Sequence, residues 1–269
     1  MPIILGMNPR TRALEALRID DPLEKVAAVQ ALRSALPRVV VDGLSWCAEI
    51  GEPPGLPGRP AKPPLVPARQ VATRSPFTAA GRAALLHAVA HIEFNAINLA
   101  LDAVWRFAGL PEAYYQDWLG VAADEARHFM LLSEHLQTLD VRYGDFNAHD
   151  GLRVMTQRTA HDVVARMALV PRTLEARGLD ATPPMQAKFA RAGDQRAVDI
   201  LGVILLDEVG HVAIGNRWYR WLCQRDGLDP IQHYQALVER HQAPRPRPPF
   251  NLAARHAAGF TDEELALLT

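Results

Sequence analysis

The sequence predicts an all-α protein organised around an antiparallel four-helix bundle. Beyond Ser75 the chain is rich in alanine and leucine, and its apolar residues recur with the period of a helix instead of alternating as in a strand. Short connections between the long helical segments favour antiparallel neighbours. We expect the first two bundle helices at about 76–108 and 112–139, and the fourth from an Asp194 cap to about Arg225.

The third bundle helix is predicted to be interrupted. It begins near Gly151, and the sequence GLDATPP at 178–184 contains a glycine and two consecutive prolines, which lack a backbone N–H. We therefore expect a break there, followed by a short helix up to Gly193. Because the break lies within a turn of Glu175, it could open the bundle interior; a plain loop between ordinary helices is the alternative.

Two proline-rich stretches divide the rest of the chain. At Asp21 an acidic cap is followed by proline and, three residues on, by glutamate, which predicts a helix to about Leu36. The first proline-rich stretch lies at 51–70 and the second at 243–250, and we expect both to form straps. A last short helix is expected at TDEELALL, 261–268. The predicted divisions are an N-terminal helical extension at 1–50, a proline-rich linker or strap at 51–75, the bundle at 76–226 and a C-terminal extension at 227–269.

Composition limits the classes of partner. Acidic and basic residues nearly cancel, 30 against 29, which disfavours nucleic acid and acidic membrane surfaces as partners. Cys47 and Cys223 lie far apart in no metal-type spacing, as is typical of thiols in a reducing compartment. MPIIL at the N-terminus is too short for a signal peptide, and no stretch approaches about 20 unbroken apolar residues. We expect a soluble cytoplasmic protein.

A repeated Asp-Glu-x-x-His motif carries the chemistry. Residues three apart on a helix share one face, so Glu125 and His128 can point at one spot, as can Glu208 and His211. The positions that flank both pairs on the same face are apolar, which places both pairs toward the core. Because a buried carboxylate without a partner costs several kcal/mol, it must be protonated, paired or bound to a metal.

Two further glutamates complete the pattern. Glu93 lies on the apolar stripe of the first bundle helix. On the third helix the candidates are Asp162 and Glu175, and register favours Glu175: Glu93 precedes Glu125 by 32 positions, and Glu175 precedes Glu208 by 33. The chain therefore contains two helix pairs, each with one glutamate followed by a Glu-x-x-His motif.

These residues predict a site for two metal ions. Carboxylates with one histidine per metal suit iron or manganese, and this ligand set is that of the ferritin-like di-iron and di-manganese carboxylate proteins. Asp124 and Asp207 could support the ligand histidines by accepting the second imidazole N–H from across the bundle; a solvated acid is the alternative. The predicted ligands are Glu93, Glu125, His128, Glu175, Glu208 and His211.

Several longer segments carry a resemblance to a known family. HIEFNAINLALD, YGDFNAHDGL, RMALVPRTLEARGLD and DEVGHVAIGNRWY, with the strap PGRPAKPPLVP, resemble a bacterial ferritin-like family catalogued as a domain of unknown function. DEARH matches the D/E-E-x-R-H signature of di-iron carboxylate oxidoreductases, whereas DEVGH has Gly210 in place of the arginine. The resemblance covers most of the chain and implies the same six metal ligands. More distantly, the chain is similar to the ferritin-like tRNA hydroxylase.

The leading functional hypothesis is an O₂-dependent di-iron oxidoreductase, a hydroxylase or oxidase. Two iron ions, or two manganese ions as the alternative, would bind and reduce O₂. The expected partners are a small organic substrate and an unknown electron donor, with a homodimer as an open alternative. Ferritin-type iron storage is the main rival, although a cage subunit usually lacks such extensions. A tRNA-modifying hydroxylase would need the arginine-rich face Arg153, Arg158, Arg166, Arg172 and Arg177.

Overall fold

The computed structural model describes residues 8–35, 46–71 and 74–268. These residues form helices and one isolated β-bridge, between Leu65 and Ala148, and include no strand. The all-α class is therefore confirmed, while the bundle arrangement and the domain boundaries stay predictions. The chain divides into two compact units. Residues within 1–73 and 83–149 form the first unit, and residues within 74–82 and 150–269 form the second.

Three helices of the first unit begin within three residues of their predicted starts, whereas the helix Pro9–Leu17 was not predicted. Asp21 caps the helix that begins at Pro22, because its Oδ1 accepts the backbone N–H groups of Leu23 and Glu24 at 2.9 and 3.0 Å. Leu36, where that helix was expected to end, lies outside the described residues. The helices are α1 (Pro9–Leu17), α2 (Pro22–Ala35), α3 (Ala79–Arg106), most of which belongs to this unit, and α4 (Glu112–Thr138), with a 3₁₀ turn at Ala68–Gln70.

Helices α3 and α4 form an antiparallel pair. Near the start of α4, the Tyr114 hydroxyl donates to the carbonyl of Ala103, near the end of α3, at 3.3 Å. Later in α4, the ring of Phe129 packs against that of Phe94 with centroids 5.5 Å apart. Gly109, at φ 72°, supplies the left-handed residue in the short connection. Both helices lie within a few residues of their predicted ranges.

The proline-rich strap is ordered against the N-terminal helices. The backbone N–H of Gly58 donates to the carbonyl of Leu17 at 2.9 Å. The strap passes so close to α1 that a Cβ at Gly58 would lie 2.2 Å from the carbonyl oxygen of Arg18. The buried ammonium of Lys25 donates to the Gly58 carbonyl at 2.7 Å and to Asn98 Oδ1 on α3. The strap is thus fixed to two helices.

The second unit contains the remaining helices. Asp194 caps the long helix that begins at Gln195 by accepting the N–H of Ala197 at 3.0 Å, as predicted. The last helix begins with the capping box of Thr261 and Glu264, also as expected from TDEELALL. The elements are α5 (Gly151–Arg158), α6 (Val163–Leu169), a π-turn (Val170–Glu175), α7 (Ala176–Arg191), α8 (Gln195–Asp226), α9 (Pro230–Arg240), α10 (Leu252–Ala257) and α11 (Asp262–Ala266).

The predicted break at 178–184 is wrong. Helix α7 runs from Ala176 to Arg191 with Pro183 and Pro184 inside it. Pro183 cannot donate to the carbonyl of Leu179 four residues earlier, but the side-chain amide of Asn251 donates to that oxygen at 3.2 Å. A distant residue therefore supplies a donor that the proline lacks. The third helix is interrupted instead at 159–162 and by the π-turn.

Helix α3 has the length and the apolar composition of a membrane-spanning helix. Within the described part of the chain it is the one helix that is long and apolar enough to cross a membrane by length and composition. However, 72% of its most apolar window is buried inside the protein. Such burial is usual for a core helix and fits the soluble protein that the sequence predicts. A cytoplasmic location stays a prediction.

Candidate metal centre

The first unit brings three of the predicted ligands together. His128 Nδ1 lies 3.1 Å from Glu93 Oε2 and 3.3 Å from Glu125 Oε2. One possible ligand atom from each residue lies within 4.8 Å of the other two. Glu93 is 3% exposed, and Glu125 and His128 are fully buried. Two carboxylates and an imidazole thus converge on one point in the interior, as a metal site requires.

Local sequence explains this convergence. Glu125 and His128 are three residues apart on α4 and therefore share a face. Phe94 follows Glu93, and Phe129 follows His128, so the contact between these two rings fixes the register of α3 against α4 at the level of the ligands. The ring of Tyr143 packs on both, with centroids 5.6 Å from Phe94 and 5.0 Å from Phe129. Aromatic packing therefore holds together the segments of α3 and α4 that carry the cluster.

The electrostatics of the cluster favour positive charge among the carboxylates. Burial, reinforced by the neighbouring charge of Glu125, raises the pKa of Glu93. Burial acts to lower the pKa of His128, but its hydrogen bonds to Glu125 and Glu93 and their charges outweigh this and raise the pKa to about 11. Protons therefore compensate the buried carboxylates in the metal-free protein. A metal cation would displace them.

The second unit repeats the motif on α8. Glu208 and His211 lie one turn apart and are 7% and 3% exposed, so both are buried as their counterparts on α4 are. Glu175 is the last residue of the π-turn and is half-buried. Val212 and Ala176, the residues that follow His211 and Glu175, are fully buried and belong to the same apolar cluster. The π-turn and α8 therefore meet next to these predicted ligands.

The competing carboxylate on the third helix has another role. The side chain of Asp162 caps α6 by accepting the N–H of Ala165 at 2.9 Å. This cap explains the acid by local structure and leaves Glu175 as the candidate ligand.

The two aspartates are more exposed than Glu125 and Glu208, the glutamates that follow them. Asp124 is 44% exposed at its side chain, and its carboxylate lies 3.5 Å from the guanidinium of Arg127. Asp207 is half-buried. Their support of the ligand histidines stays a prediction. In the second copy of the motif Gly210 replaces the arginine, and a Cβ there would meet nothing within 4 Å, so packing does not require the glycine.

The five arginines do not form the exposed face that the sequence suggested. Arg166 is 1% exposed and Arg172 is 4% exposed, so neither faces solvent. Arg166 donates to Thr159 Oγ1 and to the carbonyl of Thr156 at 2.8 and 2.7 Å. Arg172 forms an ion pair with Glu264 inside the second unit. The sequence signal for this burial is weak, because it consists only of apolar neighbours around each arginine.

One family model matches most of the chain. The family model described as protein of unknown function (DUF455) matches residues 18–266. A Haemophilus influenzae protein, named only as an uncharacterized protein, is 48% identical over 258 residues, covering 93% of this chain and 90% of that protein. No solved structure matches. The chain, with its buried carboxylate and histidine cluster, therefore belongs to the DUF455 family.

Proposed function

We propose that this protein is a ferritin-like dinuclear metal protein, with two iron ions as the occupants and manganese as the alternative metal. It acts as an O₂-dependent oxidoreductase on a small organic substrate. The buried cluster of Glu93, Glu125 and His128 is the observation that carries the proposal. Two carboxylates and a histidine suit iron or manganese, whereas structural zinc sites are rich in thiolates.

The donor set fits a metal ion on physical grounds. Buried carboxylates must be compensated, and the raised pKa values of Glu93 and His128 indicate that protons fill this role when no metal is bound. The second copy of the motif, with Glu208 and His211 buried on α8, supplies an equivalent pair. Together with Glu175 these residues complete the ligand set of a dinuclear carboxylate centre.

The iron pair would supply the binding and reduction of O₂. The chain's own residues then have three tasks. Glu93, Glu125 and His128 hold one part of the centre, and Glu175, Glu208 and His211 hold the other. The rings of Phe94 and Phe129 pack α3 against α4 where the first group lies, and the burial of this group strengthens the electrostatic interactions within it. His128 releases its proton as the metal binds.

The metal content of the purified protein tests the site. We expect about two iron or manganese ions per chain after growth with both metals, and fewer in Glu125→Ala and Glu208→Ala. Glu134→Ala is the matched control, because Glu134 is an exposed glutamate on the same helix as Glu125. This variant should keep the wild-type metal content. Absence of metal, or one zinc ion unaffected by either ligand variant, would contradict the proposal.

The class of reaction needs a separate measurement. We expect the iron-loaded protein to consume O₂ faster when a small-molecule cell extract and a reductant are present, and Glu125→Ala to lose this increase. Oxidation of added Fe²⁺ with many iron ions retained per chain would instead indicate ferritin-type storage. Dependence of O₂ consumption on tRNA would indicate a tRNA-modifying hydroxylase.

A further inference from the structure

The π-turn at Val170–Glu175 is a local irregularity that ends on a predicted ligand. A π-turn contains one more residue than an α-helical turn, so it offsets the following residues by about 100° relative to an uninterrupted helix. Turns of this kind are rare and occur frequently at functional sites. In this protein the offset falls directly before Ala176 and Leu179, the residues with which α7 enters the buried apolar cluster.

Arg172 holds the middle of this turn. Its side chain is 4% exposed. One terminal nitrogen donates to Asn216 Oδ1 on α8 at 2.6 Å, and the other lies 2.7 Å from Glu264 Oε1 on α11. The guanidinium carbon lies 4.8 Å from the ring centroid of Phe260 and 5.0 Å from that of Tyr234. A buried, planar cation with this many partners fixes the backbone from which it projects.

The residues on either side of Arg172 are fixed as well. A Cβ at Gly215 on α8 would lie 2.5 Å from the Cβ of Pro171, so the Pro171 ring packs against α8 at a distance that only glycine permits. The hydroxyl of Thr173 donates to the carbonyl of Ala168 at 2.7 Å and lies 3.0 Å from the hydroxyl of Tyr234. Three consecutive residues of the turn therefore have specific contacts.

Most of the partners that are not on α8 belong to the C-terminal extension. Tyr234 lies on α9, Phe260 lies between α10 and α11, and Glu264 lies on α11. The Glu264 carboxylate also accepts from Arg220 and from the backbone N–H of Thr261, at 2.7 and 2.9 Å. These contacts fix the position of the carboxylate that pairs with Arg172. The extension thus packs two aromatic rings, Tyr234 and Phe260, and one buried carboxylate, Glu264, around the guanidinium of Arg172.

We infer that the C-terminal extension is a positioning device for the metal centre. Through Arg172 it fixes the π-turn, and thereby sets Glu175 in register with Glu208 and His211 on α8. This inference rests on the proposed metal function. It assigns to Arg172 and Glu264 a role in metal binding although neither is a ligand, and it gives the extension a purpose that a plain helical bundle would not need.

Titration of the full-length metal-free protein with Mn²⁺ tests this role, with equilibrium dialysis to resolve two binding steps. We expect Arg172→Gln and Glu264→Gln to keep one step at wild-type affinity and to weaken the other about tenfold, the scale on which residues behind metal ligands act. Arg172→Lys should recover part of the loss, because it keeps the charge without the planar fork. Glu264→Gln keeps an acceptor for Thr261, so it is the variant expected to disturb folding least.

Asp180→Asn is the matched control. Asp180 forms a second buried ion pair with the extension, at 2.6 Å from Arg255, but it lies on α7 beyond the π-turn. We expect this variant to lower the melting temperature of the metal-free protein while both Mn²⁺ steps keep their wild-type affinities. Equal weakening of both steps, or the same loss in Asp180→Asn, would show that the extension only stabilises the fold. Two unchanged Mn²⁺ steps in the Arg172 and Glu264 variants would overturn this inference alone, whereas a wild-type protein without Mn²⁺ binding would overturn the proposed function with it.

Discussion

Three side chains form the buried cluster at the scale of single residues. His128 lies between Glu93 and Glu125 in a fully buried position, and its imidazole bridges two helices by hydrogen bonds of 3.1 and 3.3 Å. This part of the site could be predicted from the sequence, because the i,i+3 spacing and the apolar flanks are local properties. The burial of Arg172 could not be predicted in this way, since its partner Glu264 lies on the last helix of the chain.

A buried histidine close to this site makes the stability depend on pH. His87 is 1% exposed, and its Nε2 accepts the backbone N–H of Gly144 at 2.8 Å, so its neutral form is built into the fold. Burial lowers the pKa of His87 to about 4, although Asp145 acts in the opposite direction. Burial likewise lowers the pKa of His91 to about 4.

The sign of the pH effect follows from these lowered values. Between about pH 6.5 and pH 4 the unfolded chain binds protons that the folded chain does not, so the free energy of unfolding decreases as the pH falls through this window. We expect His87 to contribute on the order of 2 kcal/mol to this decrease. Urea denaturation of the metal-free protein at pH 7, 5.5 and 4.5 measures it. His87→Gln should reduce the decrease in the free energy of unfolding with falling pH, whereas His256→Gln, at an exposed histidine, should leave it unchanged. The same decrease in the wild type and both variants would show that His87 is not its source.

Helix positions were predictable where their signals are local. Asp21 and Asp194 cap helices as their sequence context indicates, and the α3–α4 connection lies at the expected glycine and proline. The continuous path of α7 was not predictable, because the Asn251 amide that bonds the Leu179 carbonyl lies 72 residues away in sequence. The π-turn likewise depends on packing against other elements. A helix can therefore continue through prolines when a residue distant in sequence supplies a replacement hydrogen bond.

Two glycines of α8 give a matched test of the close contact at the π-turn. Gly215→Ala would place its Cβ 2.5 Å from that of Pro171, which forces backbone or ring to move; we expect a loss of about 1–3 kcal/mol. Gly210→Ala meets nothing within 4 Å, and alanine in a helix should add about 0.5–1 kcal/mol. Chemical denaturation of both variants measures the difference. A Gly215→Ala protein as stable as Gly210→Ala would show that the turn is not tightly packed.

At the scale of the whole molecule, metal binding should stabilise the native state. A ligand that binds only the folded protein adds about 2.7 kcal/mol at a free concentration of 100 Kd. We therefore expect Mn²⁺ to raise the melting temperature of the wild type and of Glu134→Ala, and a chelator to reverse the increase. Glu125→Ala should show little increase, because it removes a carboxylate from the cluster. A melting temperature of the wild type that does not respond to Mn²⁺, Fe²⁺ or chelator would contradict the metal site.

The proline-rich strap has a consequence for the entropy of folding. Residues 51–70 contain seven prolines, and the ring of each one restricts φ in the unfolded chain as well as in the folded one. The strap therefore loses less conformational freedom on folding than a glycine- and serine-rich segment of the same length would lose. Hydrogen bonds at Gly58 and between Val66 and Ala148 are among those that hold it in place. A proline-rich stretch, which is semi-rigid before folding, therefore costs little conformational entropy when it is ordered on the folded protein.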